Sequence, residues 1–150
     1  MKRFLLAGLT TAMCDGLFSS VLAGFFYGST VTRLWQGVAS VLLGPSAFDG
    51  GLPTAVIGVA MHVGVAFGWT AVFLALVLSS SWLRGVIDSP AGVVAVAAIY
   101  GPIIWMTMSL VLIPLFTHRP PTVNFRWWVQ FVGHIPFVAL PIVALTRAAR

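Results

Sequence analysis

The chain has 150 residues, of which 59% are hydrophobic and 7% charged, with a formal net charge of +5. Soluble domains carry roughly 25% charged residues, so this composition excludes a water-soluble globule and indicates an integral membrane protein. The basic residues are scattered between apolar spans rather than clustered on one face among aromatics, which excludes a nucleic-acid-binding surface, and the single cysteine, Cys14, allows neither an internal disulfide nor a cysteine metal site.

Lys2 and Arg3 precede an apolar stretch from Phe4 to Tyr27. It reads either as a first spanning helix or as a secretory signal, with Val21-Leu22-Ala23 resembling a cleavage site. Thr10, Thr11 and Asp15 interrupt what a signal would keep as a compact apolar region, so a retained helix is expected, and Thr11-Ala12-Met13 before Cys14 makes no convincing lipoprotein box. As a helix it carries Ala12, Gly16, Ser20, Gly24 and Gly28 at four-residue spacing, an extended packing stripe of small residues.

From residue 31 to 43 the pattern becomes amphipathic. Val31, Leu34, Trp35, Val38 and Leu42 fall on one face, Arg33, Gln36, Gly37 and Ser40 on the other. The stretch is too short to span a bilayer, which takes about 20 residues, so it is expected to be interfacial or re-entrant. Arg33, Gln36 and Ser40 are residues that could meet a lipid headgroup, although a solvated polar face explains them more simply. Gly44-Pro45 stops this helix, and Asp49-Gly50-Gly51 turns the chain into the next.

Leu52 to Leu78 is the longest apolar run, and its one titratable side chain is His62. Ala55, Gly58, His62 and Ala66 share a face, and Ala60, Gly64, Gly68, Ala71 and Ala75 share the opposite one. Two small faces predict a central helix packed on both sides. Residues 79–90 form a polar connection in which Ser89-Pro90 marks a helix start. A third span is expected over 91–116, kinked at Gly101-Pro102 because proline lacks a hydrogen-bond donor. The stiff loop His118-Arg119-Pro120-Pro121 leads to a fourth span over 126–146, with Trp127-Trp128 suited to the headgroup level.

The fold expected is therefore an all-α integral membrane protein: one membrane domain over 1–150, with four transmembrane helices (4–27, 52–78, 91–116, 126–146) and a short interfacial or re-entrant helix between the first two. With the N-terminus in the cytoplasm, Lys2, Arg3, Arg84, Arg147 and Arg150 lie inside and Arg33, Arg119 and Arg126 outside, a bias that favours cytoplasmic termini.

Helical rise puts His62 about 14 Å, His134 about 12 Å and Asp15 about 18 Å from the outer ends of their helices, so the three are expected to share a layer. Thr107 and Gln130 reach it from the third and fourth helices. Ionisable residues at such depth are either structural hydrogen-bonding glue or the relay of a proton or solute pathway. A third alternative is bis-histidine haem between His62 and His134, with Gly58 and Gly133 leaving room for a macrocycle and Asp15 or Thr107 holding a second imidazole nitrogen. No haem, other cofactor or metal is expected. Glycine-rich phosphate loops, HExxH, GxSxG and paired carboxylates are all missing from the sequence, so the expectation is not an enzyme.

The residues Pro114, Pro120-Pro121, Trp127-Trp128, Gly133-His134 and the terminal arginines resemble YagU-type bacterial inner-membrane proteins. Asp15-Gly16, Gln36 with Ala39-Ser40, Leu42-Leu43-Gly44, Ala47-Phe48, Gly50-Gly51, Gly58 with His62, and Leu140-Pro141-Ile142 are similar to a group of small uncharacterised four-helix bacterial membrane proteins. The resemblance covers most of the chain and implies four spans in the bacterial cytoplasmic (inner) membrane, with no reaction, substrate or cofactor attached. The leading expectation is a structural or accessory subunit in contact with lipid and with other membrane subunits or copies of itself, because the small faces outnumber what one small monomer uses.

Overall fold

The computed structural model describes residues 1–147; Arg150, counted above among the basic residues of one membrane side, lies outside the described residues. All regular elements among the described residues are helical. Helix α1 (Lys2–Val21) continues through a π-helical turn (Leu22–Phe26). Helix α2 (Val31–Leu43) starts at Thr30, whose side chain accepts the Arg33 N–H at 3.1 Å, and ends at Gly44, where φ is 72°. A 3-10 turn (Pro45–Asp49) and Gly51, with φ of 61°, redirect the chain into α3 (Gly51–Ser79). The polar connection expected after it contains a further short helix, α4 (Ser81–Val86), capped by Ser80; Arg84 donates from Nη1 to the carbonyls of Val77 and Leu78, at 2.7 and 3.0 Å, and so satisfies the end of α3.

The third long helix is composite. Ser89 caps α5 (Pro90–Met106), accepting the Gly92 N–H at 2.9 Å, with proline at the first position where its missing N–H costs nothing. Helix α5 continues through Pro102, and the hydrogen-bond ladder widens later, in the π turn Thr107–Leu112 that precedes Pro114 in α6 (Ile113–Thr117). The fourth is built the same way: α7 (Phe125–His134), a π turn (Ile135–Ala139) around Pro136, and α8 (Leu140–Arg147). Such turns re-satisfy carbonyls that proline cannot serve. Four continuous helices, Lys2–Phe26, Gly51–Ser79, Pro90–Thr117 and Phe125–Arg147, are long and apolar enough to cross a membrane.

The expectation that α3 is central needs correction. Within its most apolar window 22% of residues are buried, the lowest share of the four, against 39% for Phe125–Arg147. The fourth helix takes the middle place, between α1 and α5. Ala55, Gly58 and Ala66 are buried against α1 and α2, while Ala60, Gly64, Gly68, Ala71 and Ala75 are exposed, with nothing within 4 Å of the Cβ positions of Gly64 and Gly68. Lipid is as apolar as leucine, so hydropathy cannot rank helices by burial; close fit does.

That fit is close at Gly58. A Cβ there would stand 1.9 Å from the Trp35 carbonyl oxygen and 3.2 Å from the Ala39 nitrogen, so α2 rests its backbone on α3. The contact also reorders the faces of α2: Gln36 and Ala39 are buried, whereas Val31 and Leu42, placed on the apolar face by their spacing, are exposed. Away from α2, Phe73, Val77, Ile87, Val93, Tyr100, Ile104, Ile142 and Val143 form an apolar core, and the Tyr100 hydroxyl donates to the Trp69 carbonyl at 2.8 Å.

The two kinds of glycine in α3 separate experimentally. Gly58→Ala forces one backbone off another and is expected to cost about 1–3 kcal/mol, whereas Gly64→Ala is expected to be neutral or to gain up to about 1 kcal/mol of helix propensity; thermal unfolding of the purified variants in detergent checks the contrast.

Candidate functional site

Thr11, Asp15 and Ser19 recur every four residues and so line one face of α1. His62 meets this face from α3, and Gln130 and His134 meet it from α7. His62 Nδ1 lies 3.8 Å from Asp15 Oδ2, with side-chain exposures of 16% and 14%. His62 Nε2 is 3.1 Å from the Ala12 carbonyl oxygen, which can only accept, so Nε2 carries a hydrogen and donates it. Nδ1 is left facing Asp15, at ion-pair range but beyond hydrogen-bond distance.

His134 is arranged differently. Its Nδ1 donates to the Gln130 carbonyl one turn back, at 2.7 Å, and its ring packs on Trp105 with centroids 4.8 Å apart. Asp15 and His62 are both near enough to act on it electrostatically. The Gln130 amide is free to cross to α1 and donates to Ser19 Oγ at 3.3 Å. Three helices thus meet in one polar layer. Thr107 opens a π turn in the third helix and adds no side-chain hydrogen bond to it among the described residues.

Aromatic rings bound the layer. Phe67 lies over Gly8, where a Cβ would come within 2.5 Å of its ring, and packs on Phe4 at 5.4 Å. Trp35 of α2 reaches in to touch Gly16 and tilts against His62, centroids 5.2 Å apart. Trp127 is 8% exposed; its indole donates to Ser109 Oγ at 2.9 Å, and its ring lies 6.1 Å from Trp105. Trp128 is the exposed member of the pair. Four buried atoms around the layer lack a hydrogen-bond partner among the described residues: Thr11 Oγ1, Asp15 Oδ1, Gln130 Oε1 and Trp105 Nε1.

Thr11 shares the Asp15 face already in the sequence, whereas Trp105 escapes the sequence reading as a polar participant. The four-residue spacing of Thr11 from Asp15 is a usable signal, but nothing along the chain marks Trp105, whose place depends on the fourth helix packing on the third.

The other sites named from the sequence are not assembled. Gln36 is 6% exposed and donates to the Gly51 carbonyl at 3.0 Å, and Ser40 donates to the Gly37 carbonyl at 2.7 Å, so neither is turned to a headgroup. Arg33 lies over the Phe48 ring, 4.9 Å from its centroid. The residues also do not fit a haem. The space beside Gly58 is taken by the α2 backbone and that beside Gly133 by the Phe18 ring, which a Cβ would approach to 2.3 Å. Among the described residues no group of three His, Cys, Asp or Glu side chains is placed to hold a metal ion.

The contact between Asp15 and His62 sets an expectation for substitutions at Asp15. Asp15→Asn keeps a polar group facing Nδ1 and is expected to unfold in detergent within about 0.5 kcal/mol of the parent, while Asp15→Leu removes the partner and costs about 1–2 kcal/mol; equal losses in both would contradict the pairing. Comparisons with protein-family models, curated proteins and solved structures give no match to this chain.

Proposed function

We propose that this chain is a non-enzymatic integral membrane protein that serves as a structural or accessory subunit, packing through α3 against another membrane helix, in a second copy or in a different subunit. The observation that carries the reading is the exposed ridge Ala60, Gly64, Gly68, Ala71 and Ala75, which leaves α3 the least buried of the four long helices. Small residues earn their place in a membrane helix by letting another backbone approach. On the opposite face of the same helix, Gly58 does this for α2. The resemblance to YagU-type proteins supports a bacterial cytoplasmic membrane location, and the basic residues support cytoplasmic termini.

Gentle detergent extraction followed by mass measurement tests the assignment. The parent chain is expected in a complex larger than the monomer, and Gly64→Leu with Gly68→Leu is expected to release a folded monomer, since both positions are open within this chain. A parent that is monodisperse as a monomer with nothing co-purifying would contradict it.

A second reading, a proton or small-solute pathway, is favoured by the unpartnered atoms of Thr11, Asp15, Gln130 and Trp105. An Asp and two His supply the titrating groups such a path uses. The rings of Phe67 and Trp35 against the layer weigh the other way. In liposomes the conducting reading expects Asp15→Asn to abolish a pH-dependent flux present in the parent; the structural reading expects no flux in either.

A further inference from the structure

Residues of the first and fourth helices line a groove of about 480 Å³. Its lining is apolar: Phe18 from α1, and Phe125, Trp128, Val132, Pro136 and Phe137 from the fourth helix. Phe18 and Phe137 stack at one end, centroids 4.4 Å apart. The other end lies at Phe125 and Trp128, in the first turn of α7, where Arg126 stands. From Phe125 to Phe137 the helix rises about 18 Å. One leaflet contributes about 15 Å of the hydrocarbon core, so the groove has the length of a single acyl chain.

Arg126 supplies the polar end. It is exposed, its guanidinium sits 4.4 Å over the Tyr27 ring, and one nitrogen makes a long 3.4 Å hydrogen bond to the Tyr27 carbonyl. These contacts hold the group at the seam between the first and fourth helices without neutralising it, and it has no carboxylate partner among the described residues. On the helical wheel Arg126 falls on the same side of α7 as Val129 and Gly133, which also line the groove. A fixed cation at the mouth of an apolar slot of this length is complementary to an anionic amphiphile with its charge at the membrane surface.

We propose that this groove and Arg126 form a binding site for one anionic phospholipid of the leaflet at the Arg126 end, with an acyl chain along Phe18, Val132 and Pro136 and the phosphate on the guanidinium. The inference rests on the chain being membrane-embedded and is independent of what packs on α3.

Reconstitution of the full chain into phosphatidylcholine vesicles tests it. Resistance to alkaline extraction is measured first. Electron spin resonance of chain-labelled phosphatidylglycerol and, separately, chain-labelled phosphatidylcholine then reads the motionally restricted lipid. At low salt the parent is expected to prefer phosphatidylglycerol by about fivefold, the effect of one arginine at a membrane surface. Arg126→Gln should remove the preference, and Arg119→Gln, which alters a loop cation at the same end, should leave it. Val132→Trp fills the slot from an exposed position and should reduce the restricted phosphatidylglycerol. Equal restriction of the two lipids, loss of the preference in Arg119→Gln as much as in Arg126→Gln, or an unchanged signal in Val132→Trp would each overturn the site. A change of oligomer mass in Val132→Trp would overturn it in favour of a second copy in the groove. A chain that alkali strips from the vesicles would overturn the membrane reading along with the site.

Discussion

Helices surrounded by hydrocarbon gain nothing from hiding leucine from lipid, so what holds them together must be close contact or polar pairing. With the four long apolar helices read as membrane spans, the seam between α1 and α3 supplies both kinds of contact. Gly8 admits the Phe67 ring, Gly16 admits Trp35, and between them His62 reaches across to the Ala12 carbonyl and to Asp15. Gly58 then fixes α2 to the same helix, and α2 in turn delivers Trp35 to the polar layer. The seam positions one half of the molecule; Gly101, whose Cβ would meet the His134 carbonyl at 2.7 Å, plays the equivalent part between the third and fourth helices.

The bundle is therefore layered. An apolar core lies on one side of the polar layer, built from the C-terminal part of α3, α5 and the fourth helix, and α2 with the Trp105–Trp127 pair lies on the other. Polar groups in such a layer cost little only if they find partners; His62, His134 and Ser19 do so, and Gln130 does through its amide N–H while its Oε1 has none among the described residues. Asp15 makes no side-chain hydrogen bond among the described residues: Oδ2 lies 3.8 Å from His62 Nδ1 and Oδ1 has no partner. That residue is where structural and transport readings of the layer diverge.

Length and apolarity made the four long helices legible from the chain, with Ser89 marking the start of the third and Gly44 the end of the short α2. The turns of helical rise also brought Asp15 and His62 to one depth. Relative burial was not legible. The run from Leu52 to Leu78 reads as central because it carries two faces of small residues, yet small residues only permit close approach, and within this chain only the face with Ala55, Gly58 and Ala66 is buried. Proline position misleads in a similar way: Pro102 sits inside regular helix, and the ladder widens near Pro114 and Pro136, where the missing donors are accommodated by π turns. Gln36 was assigned to a surface by periodicity, but it and Trp127 each have a specific internal acceptor, in the Gly51 carbonyl and the Ser109 hydroxyl, that no local pattern announces.

The central claim is that Asp15 and His62, with Nδ1 and Oδ2 3.8 Å apart, form one interacting pair at the α1–α3 seam. A double-mutant cycle addresses it most directly, with unfolding free energies measured in detergent for the parent, Asp15→Ala, His62→Ala and the double variant. The account predicts a coupling of about 0.6–1.7 kcal/mol, the range found for polar pairs between membrane helices; losses that add to within about 0.3 kcal/mol would show two independent side chains and contradict it.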